Sequence, residues 1–377
     1  MTFSLEPLDT CFFRDGRPFT AGDSAQWEVA GTFPPPPPTL VGALRAALAR
    51  GNGWNGEGRW PEALDAVLGS GYEDLGALHF RGPFVLKDDA PLFPVPRHLL
   101  GRVSEGGWVP EALLRPGEPV ACDLGPEVRL PELPAGVDEP ASLKGGAHLW
   151  CSREGLEAVL AGRLPQKEQI LSAAALWAEE GRVGLERDRT TRTAVEGRLY
   201  SAVHVRPARG VALGMVVENL PEDFWVPDGE LVPLGGESRL AACRRLPIDL
   251  GVGEGVRAKL ARLRRGVAVA LTPVLLDQAV YQGEVPMEGL PGTRVVSACL
   301  ERPLRIGGWN GLERRPLPMA SALPPGSVLF WEAEDQTRFD AFMGDTATDS
   351  VVQVGARTRW GFGVVALGLW PNDGEDA

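Results

Sequence analysis

Residues 31–48 read GTFPPPPPTLVGALRAAL, and this stretch decides the fold. Five consecutive prolines, Pro34 to Pro38, make a rigid extended approach, because each ring fixes φ and removes an amide donor. Thr39 stands where an N-cap belongs. Leu40, Leu44, Ala47 and Leu48 then recur at helical spacing as far as Arg50, and Gly51 stops the helix. Upstream, Phe3 to Phe13 alternates loosely, is rich in Phe and Leu, and ends at the turn residues 14–18, which predicts a strand.

Downstream, strand-like stretches lie around Leu75 to Leu86 and Leu92 to Leu100, and a Pro/Gly-rich region to about Ala147 reads as an insertion, with inserted loops spanning about 101–165. A short helix is predicted from about Gln166 to Glu180, carrying Ile170, Leu171, Ala174 and Leu176 inward. A hairpin over about 182–206 follows, with Arg and Thr at its centre, and is the least core-like of the chain; it is expected to project. Val211 to Val217 and Leu240 to Leu246 read as strands, and Val256 to Arg265 as a helix.

Val267 to Leu276 is apolar on both faces, as a central strand is. Strands follow around Val295 to Leu300, Val328 to Trp331 and Phe362 to Leu369, with a weak helix at Arg338 to Met343. The order strand, helix, strand, strand, helix, strand is thus read twice. The expected fold is α+β: two tandem ferredoxin-like (RRM-like, βαββαβ) domains with insertions and a projecting β-hairpin, over residues 1–250 and 251–377. The first helix of the second domain, within 277–292, is poorly marked because it contains Gly and Pro.

At 377 residues the chain is long enough for two substantial cores, and 47 Gly with 34 Pro, lacking any collagen-like period, signal many turns. The five cysteines are too far apart for a CxxC metal or dithiol site. The N-terminus shows no signal peptide and no apolar run approaches a bilayer span, so a cytoplasmic protein without membrane contact is expected.

A net charge of −12 argues against a simple nucleic-acid coat, yet the charge is segregated. Residues 182–209, 239–265 and 302–315 carry +4, +6 and +3, which leaves −25 on the remainder. Such a chain can present a basic channel on one side and an acidic surface to other partners. Only 4 of 38 basic residues are Lys, which suits bidentate grip of phosphates by guanidinium groups.

The usual catalytic and nucleotide-binding templates are missing, and the four histidines have no i,i+4 partner, so no metal and no cofactor are expected. A metal-independent ribonuclease needs only a base and a cation; His204, two residues before Arg206, is the candidate base for that alternative. The glycines of 307–311 (GGWNG) and 361–363 (GFG) interrupt strand-like sequence and are read as bared amides able to hold phosphates, flanked by Arg305, Arg314, Arg315, Arg357 and Arg359.

In order along the chain, PLDTCFFRDGRPF (7–19), the 31–48 block, VGLERDRTTRTAVEGRLYSAVHVRP (183–207), LGGESRLA (234–241), IGGWNG (306–311), LPPGSVLFWE (323–332) and GARTRWGFGVVALG (355–368) resemble the landmarks of the RAMP proteins of CRISPR effector complexes. The likeness is closest to the Cmr-type (type III-B) subunits at the crRNA 5′ end.

This resemblance implies an antiviral ribonucleoprotein subunit without catalysis. Its expected partners are the crRNA 5′ tag, the large polymerase-like subunit and the backbone RAMP subunits. It assigns RNA contact to the hairpin residues Arg187, Arg189, Thr190, Thr191, Arg192, Arg198 and Tyr200 and to the glycine-rich elements at Gly308, Trp309, Gly361 and Gly363. Arg14, Arg17, Arg45, Arg206, Arg305, Arg357 and Arg359 complete the expected RNA-binding set. With only 3 Tyr the sequence departs from modules that bind RNA by aromatic pairs on a sheet, so a grip on phosphates is expected in place of stacking.

Overall fold

The computed structural model describes residues 1–14, 28–29, 31–123, 125–253, 255–276, 289–311, 313–345 and 350–371. Its first half is built from β1 (Thr2–Pro7), α1 (Pro37–Gly51), β2 (His79–Lys87), β3 (Ala90–Pro94), β4 (Leu149–Cys151), β5 (Ile170–Ser172), β6 (Trp177–Arg187), β7 (Ala194–Pro207), β8 (Val211–Glu218), β9 (Glu230–Pro233) and β10 (Leu240–Arg245). After the chain changes sheet come α2 (Val256–Leu263), β11 (Arg265–Ala270), β12 (Thr293–Cys299), β13 (Trp309–Asn310), β14 (Arg315–Pro316), β15 (Val328–Ala333), α3 (Gln336–Asp345), β16 (Val351–Gln353), β17 (Trp360–Gly361) and β18 (Val364–Gly368). The protein is α+β, with many strands and few helices.

The first sheet runs β5-β4-β3-β2-β8-β1-β10-β9, and β17 joins it in parallel beside β2. Its central strands β10, β1, β8 and β2 pair antiparallel throughout. Alternation turns Phe3 and Leu5 of β1, Leu213, Met215 and Val217 of β8, and Cys243 of β10 into one core. Helix α1 covers that face with Leu40, Leu44, Ala47 and Leu48, each leucine contributing about 2 kcal/mol by burial. The helix starts earlier than expected: Pro36 is the N-cap, Thr39 makes no side-chain cap, and Pro37 and Pro38 occupy positions whose amides have no helical acceptor.

The second sheet runs β12-β15-β11-β18-β16 with every pairing antiparallel. Strand β11 is buried on both faces: Val267 and Val269 enter a core shared with Phe84 and Phe93 of the first sheet, while Ala268 and Ala270 meet Leu260 of α2 and Phe339 of α3. The two sheets therefore share one apolar seam. Trp360 of β17 reaches across it into the first core.

Two expectations are corrected. Residues 166–180 do not form one helix: a single turn at Ala173–Leu176, capped by Ser172, gives way to β6 at Trp177. Pairing with β7 overrides the helical spacing there, from Trp177↔Pro207 onward. The region 101–165 is not loop alone, since it holds the hairpins Leu99–Ser104/Gly107–Leu113 and Arg115–Cys122/Gly125–Glu132 and the helix Arg153–Leu160. The poorly marked helix falls mostly on 277–288, outside the described residues. Among the described residues no helix is long and apolar enough to cross a membrane.

Candidate RNA interface

The arginine-rich hairpin is β6 and β7, paired from Trp177↔Pro207 to Arg187↔Ala194. Val183 (72% exposed) and Leu185 (48%) stand out on its distal part, whereas Ala202, Val203 and Val205 nearer the base are buried. Its tip is organised by Asp188, whose carboxylate accepts from the amides of Thr190 and Thr191 and from the Thr191 hydroxyl. Those bonds, the Thr191 amide first, hold its pKa below the usual value. The Arg187 guanidinium donates to the carbonyl of Arg192, bracing the tip from inside. Arg189 and Arg192 are exposed and make no ion pair among the described residues; Arg192 adopts φ 58°.

The hairpin's base is electrostatically different. Asp9 lies within 3.4 Å of Arg182, 2.8 Å of Arg206 and 3.4 Å of Arg239, and Glu180 binds Arg182 (2.7 Å) and Arg206 (2.6 Å). The backbone amide of Thr10 and then Arg206 depress the Asp9 carboxyl, so the network is fully ionised at neutral pH. Arg206 is thus committed to two carboxylates in this structure.

His204 is buried (3% exposed), stacked on Phe12 at 4.9 Å, with Nδ1 3.2 Å from the Thr10 hydroxyl. Burial, followed by Arg182 and Arg239, lowers its pKa. Enclosed in this way, the candidate base packs in this structure as a buried histidine held by Phe12 and Thr10.

Packing occupies three further residues of the expected set. Arg45 is buried, and its Nε and Nη2 donate to the carbonyls of Leu68 (2.7 Å), Gly71 (2.9 Å) and Asp74 (2.8 Å). Gly361 and Gly363 are buried as well, and their amides already donate to Thr358 and Pro273. A Cβ on Gly361 would lie 2.6 Å from the Gly82 carbonyl oxygen, and one on Gly363 would collide with that of Val354. These glycines permit backbones to meet; they do not bare amides. Arg359 donates to the Leu78 carbonyl at 3.0 Å, tying β17 to the residues before β2.

The other glycine element is open. Gly308 and Trp309 are exposed, Trp309 at 62%, and Arg305 and Arg314, which flank them in sequence, are exposed too. Local sequence carries no signal that this indole faces solvent, since whether a tryptophan is covered depends on distant chain. Arg357 is exposed, near the Tyr72 hydroxyl, and Arg14 is exposed at a bridge to Gly31. Arg17 and the side chains of Arg198 and Tyr200 lie outside the described residues.

Fold and site together define an α+β protein that carries exposed cations and an exposed indole on hairpins at its surface. Residues 3–370 match the sequence profile described as CRISPR-associated protein (Cas_Cmr3), and the chain belongs to that family. A chain from a cryo-EM structure of the type III-B Cmr-beta bound to cognate target RNA and AMPPnP has a TM-score of 0.51 at 17% identity, over 88% of this chain and 86% of that one. A chain from the Cmr-beta bound to cognate target RNA gives 0.51 at 15% identity, over 94% and 96%. These likenesses establish a shared fold. No curated protein matches the sequence.

Proposed function

We propose that this chain is a non-catalytic RNA-binding subunit of a type III-B Cmr effector complex. In this reading it holds the 5′ tag of the crRNA and bridges the large polymerase-like subunit to the backbone RAMP subunits. The scaffold is read as two tandem ferredoxin-like domains, 1–250 and 251–377. Counting strands within each unit, β10-β1-β8-β2 and β18-β11-β15-β12 both follow the order fourth, first, third, second, all antiparallel, which supports that reading.

The observation that carries the RNA assignment is the contrast along one hairpin. Arginines at its base are neutralised by Asp9 and Glu180, whereas Arg189 and Arg192 at its tip make no ion pair among the described residues. Cations left without carboxylates on an exposed hairpin tip suit a phosphate backbone, which positions a single strand without breaking a bond. The acidic remainder weakens binding by the isolated chain, and assembly supplies affinity by joining several weak sites.

The test is guide retention by the assembled complex as salt is raised. Replacing Arg187, Arg189 and Arg192 together by Ala is expected to release the guide at lower salt and to shallow the log–log dependence by about 0.7 for each phosphate no longer gripped. An unchanged slope removes the hairpin tip from the RNA path. The burial of His204 counts against the nuclease reading.

A further inference from the structure

We propose that Trp309 is a stacking platform for one unpaired base of the bound RNA. This inference rests on the RNA-binding reading above and adds to it a residue that holds a base as well as a phosphate.

The indole is exposed by construction. Ile306 is anchored in the first core, and three residues on, Trp309 pairs with Pro316 in the two-residue ladder β13/β14. The next residue, Asn310, is buried, and its side-chain oxygen accepts the amide of Glu313 at 3.1 Å, which closes the turn. On the other side the Gly308 carbonyl accepts the Leu317 amide at 2.9 Å. Both flanks are tied down, and alternation leaves the ring between them facing outward. A rigidly held, unburied indole loses little entropy when a planar group lies on it.

The charge of the flanking sequence favours a ligand that carries phosphates as well as a planar group. Arg302, Arg305 and Arg314 are exposed and make no ion pair among the described residues; only Arg315 is matched, by Glu313. Trp225, 57% exposed, is the instructive contrast, because its sequence neighbours are Glu222, Asp223, Asp228 and Glu230. A polyanion would be drawn to the first indole and repelled from the second. Aromatic rings combined with cations that track the backbone are what hold single strands elsewhere.

The experiment uses the complex reconstituted on guides in which single 5′ bases are replaced in turn by fluorescent 2-aminopurine. One position should be quenched in the native complex, recover most of its emission with Trp309→Leu, and remain quenched with Trp309→Phe and with Trp225→Leu. Guide affinity with Trp309→Leu should fall roughly tenfold or more with an unchanged salt slope, since stacking releases no counterions. If no position responds to Trp309→Leu, stacking is overturned, and the Arg187, Arg189 and Arg192 result still judges the RNA reading separately. If Trp309→Leu leaves every base unaltered but stops a neighbouring subunit from joining, the indole is a protein contact and the proposal is equally overturned.

Discussion

The Nε of Arg45 donates to the carbonyl oxygen of Leu68 across 2.7 Å, and with that bond a helix whose first turn holds the last two of five prolines is fastened to the segment leading into β2. The same guanidinium lies 5.1 Å from the centre of the Trp60 ring and supplies two further carbonyls. Burial pushes its pKa down to about 10, so it remains charged at every physiological pH.

Arg45→Ala would strip the donor from the buried Leu68 carbonyl and from the part-buried carbonyls of Gly71 and Asp74, and a loss of stability of about 1–3 kcal/mol is expected. Denaturant titration measures it. Guide retention by whatever variant folds should be normal, and a selective loss of RNA would return Arg45 to the interface.

His98 gives the protein an acid limit. It is fully buried against Phe330, neither ring nitrogen has a hydrogen-bond partner among the described residues, and desolvation holds its pKa down to about 3. The unfolded chain, titrating near 6.5, binds more protons below that value than the native one. Native stability is therefore complete above pH 6.5 and falls by up to about 1.4 kcal/mol per unit as the pH drops toward 3. Unfolding midpoints measured from pH 7.5 to 4.5 should show this decline, and His98→Gln should flatten it.

Asp9→Asn tests the electrostatic hub. Arg182, Arg206 and Arg239 lose a shared counter-ion, so binding of single-stranded RNA should tighten and its salt dependence should steepen. Unchanged binding would place the hairpin base away from the strand.

Gly363→Ala sets a Cβ against the Val354 carbonyl at φ 72°, a conformation that side chains resist. A loss of at least about 1–3 kcal/mol is expected, with aggregation during expression the practical readout. Gly308→Ala, at an exposed position, should cost far less. Equal tolerance at both positions would contradict the packing role assigned to the GFG segment.

Incubation of the purified chain with labelled CRISPR repeat RNA in EDTA checks the rival chemistry. No cleavage is expected, because His204 is enclosed by Phe12 and Thr10. Cleavage abolished by His204→Ala would reverse that conclusion.

Local pattern made much of this molecule legible. The apolar spacing of Leu40, Leu44 and Leu48 marked α1, two-sided apolarity marked β11, and the missing core marked the exposed distal part of the hairpin. Failures came wherever a distant partner decides. Ile170 to Leu176 has helical spacing, but pairing with β7 claims the chain from Trp177. Gly308 and Gly361 look alike in sequence, yet only the second has another backbone pressed on it. Arginine shows the same limit: nothing local separates Arg45, spent inside, from Arg189, left outside.

The pairing of Trp360 with Phe80 spans about 280 residues of chain. On a ribosome, the first sheet would emerge with that flank of β2 open and the seat of the Trp360 indole vacant until residue 360 had been made, so that flank closes only after most strands of the second sheet have been synthesised.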